Sequence, residues 1–305
     1  MTKPILVCRT RFPGDAFRRA EEQFDVRILE GFVRPACLRG EHADAAAIWS
    51  FGERIDDELL DALPNLRAVG NEGVGFDTID VAALERRGVE LCIPRGQNAD
   101  AVADHALGLL LAVRHNIVAG DRFIREGRWG ARGSEEPSGR SITGTTLGVI
   151  GLGNIGRAAA RRGAAFGMRV VAWNRTPRPE AGVEQVALDD LLRQSDHVTV
   201  HCALSDDTRG LIGERELALL PAEAVLINTA RGAIVDTDAL LAALRDDRLW
   251  GAGLDVFPQE PEVDPRLLDH PRVVVTPHIA DYQPEVYGAL TEAVVAALER
   301  VFGTA

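Results

Sequence analysis

Gly151, Gly153 and Gly156 stand in a Gly-x-Gly-x-x-Gly spacing directly after the apolar run at residues 147–150. Between a strand and a helix each glycine has a mechanical task. The first makes the tight turn, the second lets the backbone approach a pyrophosphate, and the third allows the helix to pack closely on the strand. The amides that open the following helix, at Asn154 and Ile155, then face the phosphates. The pattern predicts a dinucleotide site. The next apolar run ends in Asn174, Arg175 and Thr176, where a site for NAD carries Asp or Glu against the ribose hydroxyls. No carboxylate stands there to repel a 2′-phosphate and Arg175 can pair with one, so NADP is expected in preference to NAD.

Three later stretches hold side chains suited to carbonyl chemistry. Residues 226–244 (LINTARGAIVDTDALLAAL) contain Arg231, residues 251–261 (GAGLDVFPQEP) contain Asp255 and Glu260, and residues 273–280 (VVVTPHIA) contain His278. His278 follows Thr276 and Pro277 at the end of an apolar run, the end where open parallel sheets place their ligands. In order and spacing these stretches resemble the D-2-hydroxyacid dehydrogenase family, in particular its glyoxylate/hydroxypyruvate reductase-like branch. Residues 73–80, 98–112 and 197–212 extend the resemblance over nearly the whole chain.

The resemblance implies hydride transfer between NAD(P)H and a small 2-oxoacid or D-2-hydroxyacid, with Arg231, Glu260 and His278 as the catalytic set. The residue types fit that chemistry. Carbonyl reduction needs a proton donor whose pKa lies near the working pH, which suits histidine. A carboxylate on the other imidazole nitrogen favours the protonated ring and fixes its tautomer, which suits Glu260. Arg231 offers an always-charged planar fork to a carboxylate and its neighbouring carbonyl. The resemblance further implies that the amides of Gly73, Val74 and Gly75 hold the substrate carboxylate alongside Arg231 and His278. By the same likeness Asp255 receives the nicotinamide carboxamide and Ala230 lines the cofactor. Asn98 reads equally as a helix cap or as a positioning group. His105, inside an apolar helix, and His201, at a strand end, read as core or cofactor-lining residues.

The chain departs from the branch at several points. Glu72 stands where an aromatic residue is expected, Asp281, Tyr282 and Gln283 replace a stretch of small residues, and Cys202, Ala203 and Leu204 replace a more usual Pro-Leu pair. Glu72 and Asp281 read either as contacts for a cationic or polyhydroxylated substrate tail or as water-facing side chains. Phe12, Trp49, Phe51 and Tyr282 flank predicted strand ends and are candidate pocket walls. A reading from another class is a nicotinamide-sensing module that binds a protein partner on the same fold; turnover of 2-oxoacids separates the two.

Short β-like runs alternate with helical stretches from the start: residues 5–8, 26–29, 46–49, 66–70 and 89–93, with amphipathic segments at 55–63 and 78–87. A long apolar helix is expected from Asn98 to about residue 118, then an irregular Gly, Arg and Ser-rich arm at roughly 125–144. The alternation restarts at Thr146 and runs to residue 276, and apolar residues at helical spacing mark 284–302. The alternation implies an α/β fold with parallel sheets. The resemblance implies two Rossmann-like domains with an active-site cleft between them, residues 1–98 with 281–305 forming the substrate domain and 99–280 the dinucleotide domain. The long helix and the arm suggest, by the resemblance, a homodimer contact.

Lys and Arg total 34 against 46 Asp and Glu, a formal charge of −12. That balance argues against a nucleic-acid partner, which calls for a basic stripe. No apolar run reaches the roughly 18 residues of a membrane span. The amino-terminal residues lack the pattern of an export signal, so a cytoplasmic protein is expected. Cys8, Cys37, Cys92 and Cys202 lie far apart with no Cys-x-x-Cys pair, which reads as buried thiols and no metal site.

Overall fold

The structure is a computed structural model that describes residues 2–12, 14–29, 31, 33–38, 40–129 and 136–303. Its strands are β1 Ile5–Cys8, β2 Asp25–Ile28, β3 Ala47–Ser50, β4 Ala68–Asn71, β5 Glu90–Cys92, β6 Thr146–Ile150, β7 Arg169–Trp173, β8 Glu184–Gln185, β9 His197–Val200, β10 Val225–Asn228, β11 Gly251–Leu254 and β12 Val273–Val275. Its α-helices are α1 Asp15–Gln23, α2 Asp57–Asp61, α3 Val81–Arg87, α4 Ala99–Arg114, α5 Ile117–Arg125, α6 Asn154–Ala165, α7 Leu188–Gln194, α8 Glu214–Leu217, α9 Thr237–Arg245, α10 Pro265–Leu268 and α11 Pro284–Phe302. The chain divides into two units, Met1–Asn98 with Asp281–Ala305, and Ala99–Ala280.

In the first unit the sheet order is β2-β1-β3-β4-β5, and each neighbouring pair is parallel. Parallel neighbours need crossovers, and helices between the strands supply them. β3 and β4 are buried at every position, which explains why they read as unbroken apolar runs. Asp80 caps α3 by accepting from the Ala83 amide at 2.9 Å, a contact worth about 1 kcal/mol. α11 returns to cover this sheet with Leu290, Val294, Val295 and Leu298. A methyl on Gly70 of β4 would meet Val294 Cγ1 at 2.8 Å, so the glycine allows close seating of the helix. Phe12 and Trp49 correct their assignment as pocket walls: they stack with centroids 4.5 Å apart and belong to this core. Burial of both rings outweighs any ligand role.

The second unit carries the order β12-β11-β10-β9-β6-β7-β8, again parallel throughout. β6 has β9 on one side and β7 on the other, so the strand order reverses at β6. Sheets of this kind open a ligand crevice beyond the carboxyl end of that strand. α4 lies against β10 and β11, where Gly253 gives room to Leu109. The helix expected to reach residue 118 stops at Arg114. Asn116 takes a left-handed φ of 52° and α5 begins at Ile117. The break has a cause in the arm: Arg140 N–H donates to Arg114 O at 2.8 Å, Asn116 Nδ2 bonds Ser138 O, and Gly139 lies against His115. Residues 130–135 of the predicted arm lie outside the described residues.

Of the cysteines, Cys8 and Cys92 are buried, Cys202 is half-buried and Cys37 is exposed. The Cys37 expectation fails because its segment forms a short 3₁₀ turn at Pro35–Leu38 in which only Leu38 is buried. Among the described residues no helix is long and apolar enough to cross a membrane.

Candidate active site

β6 ends at Ile150 and the chain turns at Gly151 with φ of 96°. A methyl there would strike Cys202 N at 2.5 Å, and one on Gly156 would strike Gly151 O at 1.9 Å. Both glycines are therefore required by the turn and by the seating of α6. Gly153 differs, because a methyl on it would meet nothing within 4 Å. It begins α6 with no side-chain cap, so no capping side chain takes the first amides of the helix, from Asn154 and Ile155. That is the cradle a pyrophosphate fills, and the residues present fit a dinucleotide. Asn174 holds the turn from the side: its Oδ1 accepts from Leu152 N at 2.9 Å and its Nδ2 bonds Thr176 O. Arg175 and Thr176 are exposed, and Arg175 Nη1 lies 2.9 Å from Asp207 Oδ2.

Beyond β10, β11 and β12 the chemistry-bearing side chains converge. His278 Nδ1 and Glu260 Oε2 are 2.6 Å apart, and Glu260 Oε1 accepts from the Phe257 amide at 2.9 Å. The hydrogen bond to Glu260 raises the His278 pKa above its ordinary value, against partial burial and the nearby Arg231 charge. Burial acts to raise the Glu260 pKa, but His278, the Phe257 amide and Arg231 hold it below the usual carboxylate range. Arg231 thus acts electrostatically on both partners. It follows Asn228, whose side chain ties the turn by donating to Arg231 O at 2.9 Å and accepting from Ala230 N at 3.0 Å. Ala230 O in turn accepts from Arg231 Nη1 at 2.8 Å. The structure therefore brings Arg231, Glu260 and His278 together. Sequence reading passed over Gly232, where a methyl would lie 2.0 Å from Phe257 C. The Arg231 turn packs against the segment leading to Glu260 only because residue 232 has no side chain.

Asp255 has a different setting from the one expected. Its residue is wholly buried, Oδ1 accepts from Ile279 N at 3.0 Å and from Thr276 Oγ1, and Oδ2 accepts from Ala280 N at 3.0 Å. Its backbone carbonyl accepts from His278 N at 2.8 Å. No accessible surface is left for a carboxamide, because the loop that carries His278 takes up the carboxylate. His105 completes the group from α4, with Nε2 at 2.9 Å from Thr276 Oγ1 and 3.4 Å from Asp255 Oδ1. His278 itself has φ of 52°, a left-handed conformation uncommon outside glycine. Asp255 is the clamp that maintains it. His201 pairs with Thr199 Oγ1 at 2.8 Å.

In the first unit, Gly73, Val74 and Gly75 follow β4. Asn71 Nδ2 donates to Gly73 O at 2.6 Å and to Gly75 O at 3.0 Å. The carbonyls of Gly73 and Gly75 are thereby turned to Asn71, and the amides of Gly73, Val74 and Gly75 donate to no acceptor among the described residues. Successive unpaired amides make an anion-binding concavity. Asn98 does not cap α4 with its side chain: Nδ2 donates to Asp281 Oδ2 at 2.8 Å and Oδ1 is buried without a partner. Asp281 is engaged there, and Tyr282 is exposed with its ring edge-on to Tyr287 at 5.3 Å. Phe51 lies under the Arg9 guanidinium. Glu72 neither faces water nor is open to a substrate tail; it is 1% exposed.

Residues 107–280 match the family described as D-isomer specific 2-hydroxyacid dehydrogenase, NAD binding domain. The chain is 36% identical to a glyoxylate reductase of Thermococcus litoralis, over 96% of this chain and 92% of that one. It is 39% identical to a glyoxylate reductase of Pyrococcus horikoshii, over 91% and 86%. Among solved structures it is similar to an NADPH-dependent glyoxylate/hydroxypyruvate reductase from Sinorhizobium meliloti, crystallised with NADP and malonate. That similarity has a TM-score of 0.92 and 33% identity, covering 99% of this chain and 95% of that one. The parallel sheets, the glycine turn after β6 and these likenesses agree: the chain belongs to the D-isomer specific 2-hydroxyacid dehydrogenase family, whose members are nicotinamide-dependent oxidoreductases.

Proposed function

We propose that this protein reduces glyoxylate, hydroxypyruvate or a similarly small 2-oxoacid to the D-2-hydroxyacid, with NADPH preferred over NADH. The observation that carries the reading is the 2.6 Å pair between His278 Nδ1 and Glu260, with Arg231 coupled to both. The bound nicotinamide supplies the hydride. With Nδ1 committed to Glu260, Nε2 of the protonated His278 is the atom that gives its proton to the substrate oxygen, and in oxidation the neutral ring takes it back. Arg231 binds the carboxylate and the carbonyl oxygen, which aligns the carbonyl and stabilises charge gathering on it. The amides of Gly73, Val74 and Gly75 hold the substrate carboxylate. Asp255 and His105 position the loop that carries His278.

The cofactor preference is supported by Asn174 at the end of β7, where no carboxylate meets a 2′-phosphate. The Arg175–Asp207 pair is about three-quarters exposed on both sides, and such a pair is held weakly enough to exchange for a phosphate. The test is kcat/KM for NADPH and NADH across glyoxylate, hydroxypyruvate and bulkier 2-oxoacids. A clear NADH preference removes the cofactor proposal, and cofactor binding without turnover of any 2-oxoacid favours a sensing module instead.

A homodimer is proposed through α5 and the residues after it. Ile117, Val118, Ile124 and Trp129 are exposed there by 43 to 76%, and clustered apolar exposure of this kind marks an interaction surface. A monomeric mass by light scattering counts against it. The proposed compartment is the cytoplasm, where NADPH is available.

A further inference from the structure

Glu72 is the departure from the expected pattern that the reaction does not account for. Its Oε2 accepts from Trp49 Nε1 of β3 and its Oε1 from Thr291 Oγ1 of α11, each at 2.8 Å. Its own amide donates to Ser50 O at 3.0 Å. Both donors to the carboxylate are neutral. The titratable group facing it from α11 is Tyr287, which also feels Asp281 and bonds Tyr282. Just beyond β3, Glu53 accepts from Ser50 Oγ at 3.0 Å and faces Arg9 at 3.5 Å. Thus a carboxylate without a cation among its hydrogen-bond partners sits one residue before the three unpaired amides of Gly73, Val74 and Gly75.

We propose that Glu72 is the positioning residue of that loop, and that its charge state sets how strongly the Gly73–Gly75 amides hold a substrate carboxylate. The inference deepens, and rests on, the reading that these amides take the carboxylate. Ionised, Glu72 pins the loop root to β3 and α11 but repels an anion placed on the adjacent amides. Protonated, it keeps both contacts by donating to Thr291 Oγ1 while accepting from Trp49, and the repulsion is gone. Burial pushes its pKa up to about 7, against the pull of the Thr291 and Trp49 bonds, so the exchange falls in the neutral range. A Glu72→Gln side chain reproduces the protonated form permanently: its oxygen accepts from Trp49 and its amide donates to Thr291.

The experiment measures kcat and KM for glyoxylate, with NADPH saturating, from pH 6 to 8.5 in the wild type and in E72Q, and thermal stability of both from about pH 4.5 to 8.5. At pH 8.5 the KM of E72Q is expected about fivefold below wild type, as for a like charge removed near a bound anion. The two converge at pH 6, and kcat stays within about twofold throughout. Stability gives a second signature. A carboxyl whose folded pKa is raised is destabilising once ionised, so the Tm advantage of E72Q opens between about pH 4.5, the unfolded value, and pH 7. A second variant, T291V, removes one donor to the ionised form and moves the rise in KM to higher pH. A KM ratio that is the same at pH 6 and 8.5 overturns the inference, as does a Tm gap with no accompanying KM gap. Wild-type protein that turns over no 2-oxoacid overturns the reductase reading first, and this inference with it.

Discussion

Glu260 and Glu72 are the same side chain in two regions of the molecule, and their surroundings drive them in opposite directions. Glu260, in the second unit, has an imidazole at 2.6 Å and a guanidinium nearby, so its charge is met by charge. Glu72, in the first unit, has an indole N–H and a hydroxyl. Both are partly or wholly removed from water, and burial alone raises the pKa of a carboxyl. The cationic partners decide the outcome. Where they are present the carboxylate is fixed in its ionised form and serves to charge another group; where only neutral donors are present it sits near its own midpoint.

That contrast can be broken at several points. The largest effect is expected from removing the partner of Glu260. His278→Asn should lower kcat/KM by about 10² to 10⁴-fold, the range for loss of a general acid, with unchanged circular dichroism. Asparagine tolerates the left-handed backbone at 278, so the loss reports chemistry and not refolding. Next comes Glu260→Gln, which deletes the main force raising the His278 pKa. Reduction needs the protonated ring, so activity falls as pH rises through that pKa. In the variant the fall should begin at lower pH, with the midpoint moving to or below the ordinary value of about 6.5. A profile that does not move would remove Glu260 from its role.

On the other side, Trp49→Phe takes one donor from Glu72 and should cost about 1–3 kcal/mol above pH 7, read as a fall in denaturant midpoint. Below the Glu72 midpoint the cost should shrink, because the neutral carboxyl has less need of the bond. The smallest effect belongs to a pair in water. Asp207→Asn removes the partner of Arg175, and both are mostly exposed. Stability should change by less than about 0.5 kcal/mol.

The sheets were readable from the chain because buried parallel strands are short apolar runs. The predicted run at 5–8 coincides with β1, and those at 26–29 and 66–70 differ from β2 and β4 by one or two residues at their ends. The glycine turn was readable because each glycine answers a local geometric demand. What escaped depends on neighbours distant in sequence. Glu72 meets Thr291, 219 residues on, so nothing near position 72 shows that it is buried. α4 ends where it does because residues 138–140 fold back to Arg114 and Asn116. Asp255 was read by likeness as a ligand contact. Its bonds to 276, 279 and 280 become visible only when β11 and β12 are side by side.

The first unit is made from both ends of the chain, with α11 supplying Leu290, Val294 and Leu298 to a sheet formed by residues 5–92. During synthesis the amino-terminal sheet emerges from the ribosome nearly two hundred residues ahead of the helix that covers it. The 99–280 segment has its own core and can fold first. The early sheet must wait with its Gly70 face bare, and at that stage it is open to chaperones, proteases and other nascent chains. Loss of the last helix, Pro284–Phe302, would therefore be felt as failure to accumulate in the cell, even though Arg231, Glu260 and His278 all lie outside it.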